Sequence, residues 1–306
     1  MNAADATTWQ VRARKTTGAS HVRADLENQD SIGWLPPERQ GSGVAVTVAD
    51  GHGSATSFRS SVGSELAVRV SHELAQELLA FAPQGADRSM AKRRLEEHAG
   101  QQLVRRWRKE VEADLAERPF SAQEWTLLEE QAGPGARQRV EEDPYLAYGS
   151  TLVTAVATDD FMAFWQIGDG DIVVVDAEGR ASRPLRGDPE LLGNATTSLC
   201  LPNAWQYFRS ALSGTPAALI LASTDGLANS YETDADFLAF GSDMLGRIAE
   251  DGLDAVDQRL PEWLATISEK GSGDDVALGI LYRRAEAPAE TAGEALPEQA
   301  DGGREQ

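Results

Sequence analysis

The sequence predicts an α+β protein in which two sheets pack face to face and helices lie on the outside. Two observations lead to this prediction. Short apolar runs bounded by glycine and aspartate occur both before and after a long region of helical pattern. The helical patterns are gathered in that region and in one late insertion, whereas a doubly wound fold would alternate strands with helices along the whole chain.

The N-terminal half begins with strands and continues into helices. Alternating apolar and polar residues predict a strand over residues 9–14, and a β-branched run predicts another over residues 43–49. Apolar residues at helical spacing then predict a helix over residues 64–81 and a longer one over residues 88–117. Pro119 ends the second helix, because a proline inside a helix removes a hydrogen bond and clashes with the preceding turn.

The C-terminal half returns to strands. A polar stretch, predicted to be a short helix and a loop, covers residues 119–147. The apolar runs that predict strands after it are 151–157, 161–167, 172–175, 217–222 and 276–282. Helices are predicted over residues 234–240 and 252–268, between the last two of these strands.

The predicted organisation is a flexible N-terminus over residues 1–8, one domain over residues 9–283 and a disordered acidic tail over residues 284–306. Residues 84–148 form a helical region and loop within the domain. The tail is rich in Ala, Glu, Pro and Gly, a composition that cannot bury enough apolar surface to fold.

Composition and charge exclude several classes of function. The 306 residues are 41% hydrophobic, which is ample for a packed core, and carry a net charge of −21. A surface this acidic repels nucleic-acid phosphates and anionic lipid. Cys200 is the only cysteine, so no intramolecular disulfide or cysteine-based zinc site is expected. Without a signal-peptide core or a bilayer-spanning run, we expect a cytoplasmic protein with no nucleic-acid or membrane partner.

Four acidic sites share one setting, a carboxylate beside glycine at the end, turn or start of an apolar strand. They are Asp50, Asp169, Asp225 and the pair Asp274/Asp275. Each one alone is more often an ordinary turn or helix cap than a functional residue, since turns favour Asp and Gly. If the strand ends meet, however, the carboxylates form a cluster that repels itself strongly unless cations fill it.

Such an oxygen-lined cluster selects hard divalent ions, Mg²⁺ or Mn²⁺, over zinc or copper. Two such ions can bind a phosphoryl group and lower the pKa of a water molecule, which provides a nucleophile at neutral pH. His52, two residues after Asp50, is placed to protonate the leaving alkoxide, although a lone histidine is more often a surface or cap residue. No Gly-x-Ser-x-Gly element follows a strand, which disfavours a Ser/His/Asp hydrolase.

The ordered motifs resemble the metal-dependent type 2C serine/threonine protein phosphatases. The matching elements are Asn28-Gln29-Asp30, Asp50-Gly51-His52-Gly53, Gly149-Ser150-Thr151, Gly168-Asp169-Gly170, Ser223-Thr224-Asp225-Gly226 and Asp274-Asp275. They occur in family order over residues 10–283. The resemblance implies a four-layer α-β-β-α sandwich, with two antiparallel sheets flanked by helices and the metals in a cleft at one end.

The resemblance also implies metal ligands. Asp50 would bridge two Mn²⁺ or Mg²⁺ ions, and the Gly51 carbonyl would ligate one of them. Asp225 and Asp274 would hold the other ion, and Asp30 would bind metal-coordinated water.

A third ion and the proton donor follow from the same resemblance. Asp169 matches the position that helps bind a further metal in bacterial members, and His52 matches the proposed general acid. Gln29 replaces the usual glutamate ligand, so one ion is expected to bind more weakly or through water. Asn229 stands where a second acid often follows Asp225, which leaves a third ion open.

The phosphate contact departs from the family pattern, because Asp25 stands where the phosphate-binding arginine usually lies. A Ser-His…Gln-Asp pattern, here Ser20-His21 followed by Gln29-Asp30, resembles a bacterial branch of the family. In that branch His21, or alternatively Arg23, would contact the phosphate. A structural role at a strand end is the equal alternative for His21.

The leading hypothesis is hydrolysis of phosphoserine or phosphothreonine on proteins, by in-line attack of a metal-activated water and without a phosphoenzyme. The expected partners are a phosphorylated protein substrate and a serine/threonine kinase, in bacterial signalling. Two alternatives remain open: a pseudophosphatase that binds without turnover, suggested by Gln29, Asn229 and the missing arginine, and a phosphatase for small metabolites.

Overall fold

Two antiparallel sheets form the centre of the molecule. The structure is a computed structural model and describes residues 9–80, 88–185, 196–215 and 217–284. The strands are β1 (Trp9–Thr16), β2 (Ser31–Leu35), β3 (Gln40–Gly41), β4 (Gly43–Ala49), β5 (Leu152–Thr158), β6 (Met162–Ile167), β7 (Asp171–Val175), β8 (Ala181–Ser182), β9 (Arg209–Ser213), β10 (Leu219–Ser223) and β11 (Val276–Arg283). They pair as β3-β1-β11-β10-β7-β8 in the first sheet and β2-β4-β5-β6-β9 in the second.

Helices cover both outer faces. They are α1 (Ala19–Ala24), α2 (Ser60–Leu79), α3 (Arg88–Arg94), α4 (Gly100–Glu117), α5 (Ala122–Ala132), α6 (Ala136–Glu142), α7 (Asp225–Ala228), α8 (Asp234–Asp251) and α9 (Leu253–Lys270). A π-helical turn, Leu95–Ala99, joins α3 to α4. Among the described residues, none of these helices combines the length and the apolar character that crossing a bilayer requires.

The core has three layers, which account for the strongest sequence signals. Trp9, Val46 and Phe164 are buried between the two sheets. One outer layer packs α2 and α4 on the second sheet, and the other packs α8 and α9 on the first. Because β4, β5 and β6 are covered on both faces, they appear in sequence as continuous apolar runs instead of alternating ones.

The sheets approach each other closely where Gly279 of β11 faces Val46 of β4. A Cβ atom added at Gly279 would lie 2.2 Å from Val46 Cγ2, closer than real atoms pack. Gly279 lies a few residues after Asp274 and Asp275, and Val46 lies a few residues before Asp50. This contact therefore sets the separation of the two sheets near the ends that carry the acidic motifs.

The predicted α+β sandwich is confirmed, and most predicted strands and helices differ from the observed ones only at their ends. Pro119 does follow the end of α4 at Glu117. The polar stretch 119–147 is more helical than predicted, since it contains α5 and α6. The helix predicted over 234–240 continues to Asp251. The predicted N-terminus, residues 1–8, and residues 285–306 of the predicted tail lie outside the described residues.

Candidate functional site

The Asp50-Gly51 element is held by its neighbours and is not a loose turn. The backbone of Asp50 exchanges two hydrogen bonds with Thr151, from Thr151 N to Asp50 O at 2.8 Å and from Asp50 N to Thr151 Oγ1 at 3.1 Å. Gly51 forms an isolated β-bridge with Ser150. The end of β4 is thereby fastened to the start of β5, which fixes where the Asp50 carboxylate points.

Gly51 also brings the Asn-Gln-Asp motif to this strand end. Its N–H donates to the Gln29 carbonyl at 3.2 Å. A Cβ atom at Gly51 would lie 2.7 Å from both that carbonyl oxygen and the Ser60 carbonyl oxygen, so a larger residue would push the segments apart. Gln29 and Asp30 therefore lie beside Asp50, although twenty residues of sequence separate them.

Asp30 is buried, with 1% of its surface exposed. Its Oδ2 accepts a hydrogen bond from Thr224 Oγ1 at 2.7 Å, whereas its Oδ1 is buried without a partner. Burial raises the pKa of Asp30 well above its usual range, and the charges of Asp275, Asp225 and Asp274 raise it further against the hydrogen bond from Thr224. An orphaned buried carboxylate oxygen among other carboxylates is an acceptor that a cation or its bound water would satisfy.

Asp50 and Asp225 belong to the same cluster. Burial is the main cause that raises the pKa of Asp50, followed by the charges of Asp30, Asp225, Asp274 and Asp169. Burial, with the charges of Asp169 and Asp274, raises the pKa of Asp225 to about 7, although a hydrogen bond with Asp50 acts in the opposite direction. The mutual influence of these five carboxylates indicates that the strand ends converge.

The cluster has the donor atoms of a metal centre but not its ligand geometry. Over the residues that the structure describes, no group of three His, Cys, Asp or Glu side chains is arranged so that it could hold a metal ion. Instead, the carboxyl groups of Asp50 and Asp225 lie close enough for one of them, when protonated, to donate to the other, and Asn229 Nδ2 donates to Asp225 Oδ2 at 2.9 Å. Oxygen donors with two buried unpartnered oxygens, on Asp30 and Asp169, fit a hard divalent ion by type, provided that the carboxylates rotate.

His52 lies beside this cluster in a buried position. Burial lowers the pKa of His52, and the charge of Asp169 only partly opposes this. The backbone N–H of His52 donates to the Gly149 carbonyl at 3.0 Å. The side-chain Nε2 is buried without a partner. The side chain therefore favours the neutral imidazole and holds an unused ring nitrogen near Asp169.

The two candidate phosphate contacts differ in exposure. His21 Nδ1 lies 3.0 Å from Asp275 Oδ2, but this buried nitrogen is off the line of a hydrogen bond. Arg23, on the same short helix α1, is exposed. The backbone carbonyl of Gln29 lies against Gly51, and its side-chain Oε1 lies near Gly53.

The sequence places Asp275 among the carboxylates at strand ends, but it gives neither Asp275 nor Thr224 an individual role. Asp275 is 3% exposed and accepts hydrogen bonds from two backbone amides of the N-terminal segment. Thr224 Oγ1 donates to Asp30 and accepts from Ala277 N at 2.9 Å. The only signal in the sequence was position, since each residue stands directly beside a predicted ligand.

The chain is similar to one protein family and to several solved structures. Residues 17–265 match the family model described as protein phosphatase 2C. No curated protein matches the chain. A crystal structure of a bacterial serine phosphatase is similar at 12% identity, with a TM-score of 0.55, over 91% of this chain and 99% of that one.

Two further solved structures resemble the chain to a similar degree. The S. agalactiae serine/threonine phosphatase is 17% identical, with a TM-score of 0.50, over 90% of this chain and 100% of that one. The catalytic domain of the serine/threonine protein phosphatase PstP, solved with two manganese ions, is 14% identical, with a TM-score of 0.50, over 90% and 98%. At these identities the likeness shows a shared fold.

Proposed function

The chain belongs to the protein phosphatase 2C family, and on that premise we propose that it hydrolyses phosphoserine and phosphothreonine on proteins with the help of Mn²⁺ or Mg²⁺. The natural substrates would be cytoplasmic phosphoproteins that a serine/threonine kinase supplies. The manganese ions named for the similar PstP structure support this choice of metal by analogy.

One observation carries the proposal, the gathering of Asp30, Asp50 and Asp225 with their pKa values raised. Two unit charges 4 Å apart interact by about 4 kcal/mol at an effective dielectric constant of about 20. Such a cluster is unfavourable in an isolated fold, and cations reverse the sign of its electrostatic energy. Selection for a stable fold alone would not explain it.

The residues of the cluster would have separate roles in binding the ions and orienting water. Asp50 and the Gly51 carbonyl would hold one ion, Asp50 with Asp225 and Asp274 would hold the second, and Asp30 would orient water. Asp169 and Gln29 are the candidate ligands at the margin of the cluster. When bound, the ions would supply positive charge to the phosphoryl oxygens and lower the pKa of the attacking water.

The proton for the leaving alkoxide would come from His52. This residue has a buried nitrogen without a partner; burial lowers its pKa, and the charge of Asp169 partly offsets that effect. The substrate phosphate would meet Arg23, which is exposed, or His21 through the ring nitrogen that does not face Asp275. A guanidinium can bind two phosphate oxygens at once, which favours Arg23.

A pseudophosphatase is the second candidate. The absence of a ready three-ligand arrangement among the described residues favours it, as do Gln29 and the hydrogen bond from Asn229 to Asp225. A module of this kind would bind phosphoproteins without turnover. Calorimetric titration with Mn²⁺ separates the two candidates, because a phosphatase should bind the ion in the millimolar range or tighter.

The decisive experiment compares the wild-type chain with Asp50→Asn. With Mn²⁺, the wild type should release phosphate from an aryl phosphate and from a phosphothreonine peptide, and Asp50→Asn should lose most of that rate. Asp254→Asn is the matched control. Asp254 is an exposed carboxylate at the start of α9, and it pairs with Arg12 of β1. Full activity of Asp50→Asn would refute the mechanism.

A further inference from the structure

We infer that Asp275 is a positioning residue, which holds the segment from Gly18 to Asp30 against the start of β11. That segment carries His21, Gln29 and Asp30, and the start of β11 carries Asp274. The effect on metal binding rests on the proposed function, whereas the effect on the segment itself does not.

Two hydrogen bonds, one buried and one part-buried, carry this inference. Asp275 Oδ1 accepts from Gly18 N at 2.7 Å, and Oδ2 accepts from Gln29 N at 2.7 Å. The two amides stand on either side of α1, so one carboxylate holds both ends of the segment. His21 Nδ1 also lies 3.0 Å from Oδ2.

Around α1 the segment is held by hydrogen bonds and has no buried side chain, and no side chain caps the helix. The other contacts near α1 are polar: Ala19 N donates to Ser268 Oγ at 3.1 Å, Ser20 N donates to the Gly273 carbonyl at 2.8 Å, and Glu27 Oε1 accepts from Ser61 Oγ at 2.8 Å. Apolar packing therefore does not hold the segment in place.

Backbone hydrogen bonds connect Asp275 to the acidic cluster. Gln29, whose N–H is held by Asp275, accepts hydrogen bonds at its carbonyl from Gly51 N at 3.2 Å and from Ser64 Oγ at 2.7 Å. Asp30 follows Gln29 directly, and Asp274 precedes Asp275. One side chain thus relates three predicted ligand positions, Asp30, Asp50 and Asp274.

The two acceptors also explain why an acid stands here. A carboxylate offers oxygen at both positions, whereas an asparagine would turn an NH₂ group toward one of the two amides. The displaced amide would be buried without a partner, which costs more than a missing exposed hydrogen bond. Asp275→Asn should therefore release one end of the segment, and Asp275→Ala both ends.

The test uses the full chain and two measurements. Amide exchange without metal should accelerate at Gly18 and Gln29 about tenfold or more in Asp275→Ala, since a charged hydrogen bond is lost. Mn²⁺ binding, measured by calorimetry, should weaken by about 10- to 100-fold, as is typical when a residue that supports metal ligands is removed. Asp275→Asn should give smaller changes of the same kind, and it preserves the side-chain volume if the alanine variant does not fold.

Asp257→Asn is the matched control. Asp257, on α9, is likewise a buried aspartate, but it pairs with Arg14 of β1 and not with the N-terminal segment. Its variant should lose stability without a change in Gly18 exchange or in Mn²⁺ affinity. Unchanged exchange and Mn²⁺ binding in Asp275→Asn, or equal effects in Asp257→Asn, would overturn the inference. A wild-type chain that binds no Mn²⁺ would count against the proposed function, while the exchange measurement would still decide the role of Asp275.

Discussion

Thr224 and Asp30 are 194 positions apart in sequence, yet their side chains share a buried hydrogen bond of 2.7 Å. The same Thr224 hydroxyl accepts from Ala277 N. One hydroxyl therefore links the end of β10, the start of β11 and the Asn-Gln-Asp motif. Each of these three places carries a predicted metal ligand.

Thr224→Val tests this link, because valine keeps the shape and removes the hydroxyl. The Asp30 carboxylate would lose the hydrogen bond from Thr224, so we expect Mn²⁺ affinity to fall about 10- to 100-fold in calorimetric titration. Thr154→Val is the control, since Thr154 Oγ1 bonds Thr47 and Ser71 inside the core. That variant should lower the free energy of unfolding by about 1–3 kcal/mol and leave Mn²⁺ affinity unchanged.

Arg59 should make a large contribution to stability for a side chain near the surface. It binds both carboxylate oxygens of Glu124, at 2.7 and 3.0 Å, and also donates to Tyr148 Oη and to the carbonyls of Arg118 and Pro119. Lysine cannot reproduce this fork, so Arg59→Lys should lower the free energy of unfolding by about 1–3 kcal/mol in a denaturant titration. Arg137→Lys, in an exposed pair with Glu141, should change it by less than about 0.5 kcal/mol.

The Arg59–Glu124 contact also predicts a pH dependence. Partial burial acts to raise the pKa of Glu124, but the hydrogen bonds from Arg59 and Ser121 lower it to about 2, from a reference of 4.5. A depressed folded-state pKa gives stability that is complete above the unfolded value and is lost as pH falls through the folded one.

The stability difference between the wild type and Glu124→Gln should therefore be constant above about pH 5 and shrink toward pH 2. Denaturant titrations across this range measure it. Glu141→Gln removes an exposed ion pair, so its stability should differ little from that of the wild type. If the stability difference between the wild type and Glu124→Gln stays the same from about pH 6 to about pH 2, that result would contradict the assigned ion pair.

Two helical glycines predict opposite effects of alanine. A Cβ atom at Gly63 in α2 would lie 1.9 Å from the Tyr148 carbonyl oxygen, whereas one at Gly246 in α8 meets nothing within 4 Å. Gly63→Ala should destabilise by about 1–3 kcal/mol through overpacking. Gly246→Ala should stabilise by about 0.5–1 kcal/mol, since alanine has the higher helix propensity. Thermal unfolding checks both signs.

Arg23→Ala distinguishes the two candidate phosphate contacts. If the exposed guanidinium meets the substrate, KM for a phosphothreonine peptide should rise severalfold with little change in kcat. His21→Gln should then have the smaller effect on KM. Arg180→Ala is the control, because Arg180 is an exposed residue paired with Asp176 on a turn after β7. The opposite ranking of the two variants would assign the contact to His21.

The elements that sequence predicted well are those buried on both faces. The runs in β4, β5 and β10 are apolar apart from threonines and a final serine, and their shortness and flanking Gly and Asp favoured strands. By contrast, β9 (Arg-Ser-Ala-Leu-Ser) has no buried residue, and α1 is held by hydrogen bonds instead of apolar packing. Patterns of hydrophobicity cannot find elements of that kind.

The candidate site was predicted in the same partial way. Position at strand ends singled out Asp50, Asp225 and Asp274, whereas Asp30 was named only from the family resemblance. The contact between His21 and Asp275 could not be predicted, since it depends on how α1 lies on the loop before β11. The same limit applies to the hydrogen bond between Asp50 and Asp225, which depends on side-chain rotation.

The glycine at position 279 has a consequence for evolution of this chain. Even the smallest side chain there would act as a spacer between the sheets and tilt β11 away from β4. Asp274 and Asp50 stand at the near ends of those two strands, so the tilt would change their separation while the fold survived. A substitution deep inside the sandwich could thus abolish ion binding without touching any polar group, and it would look like a fault in the carboxylates themselves.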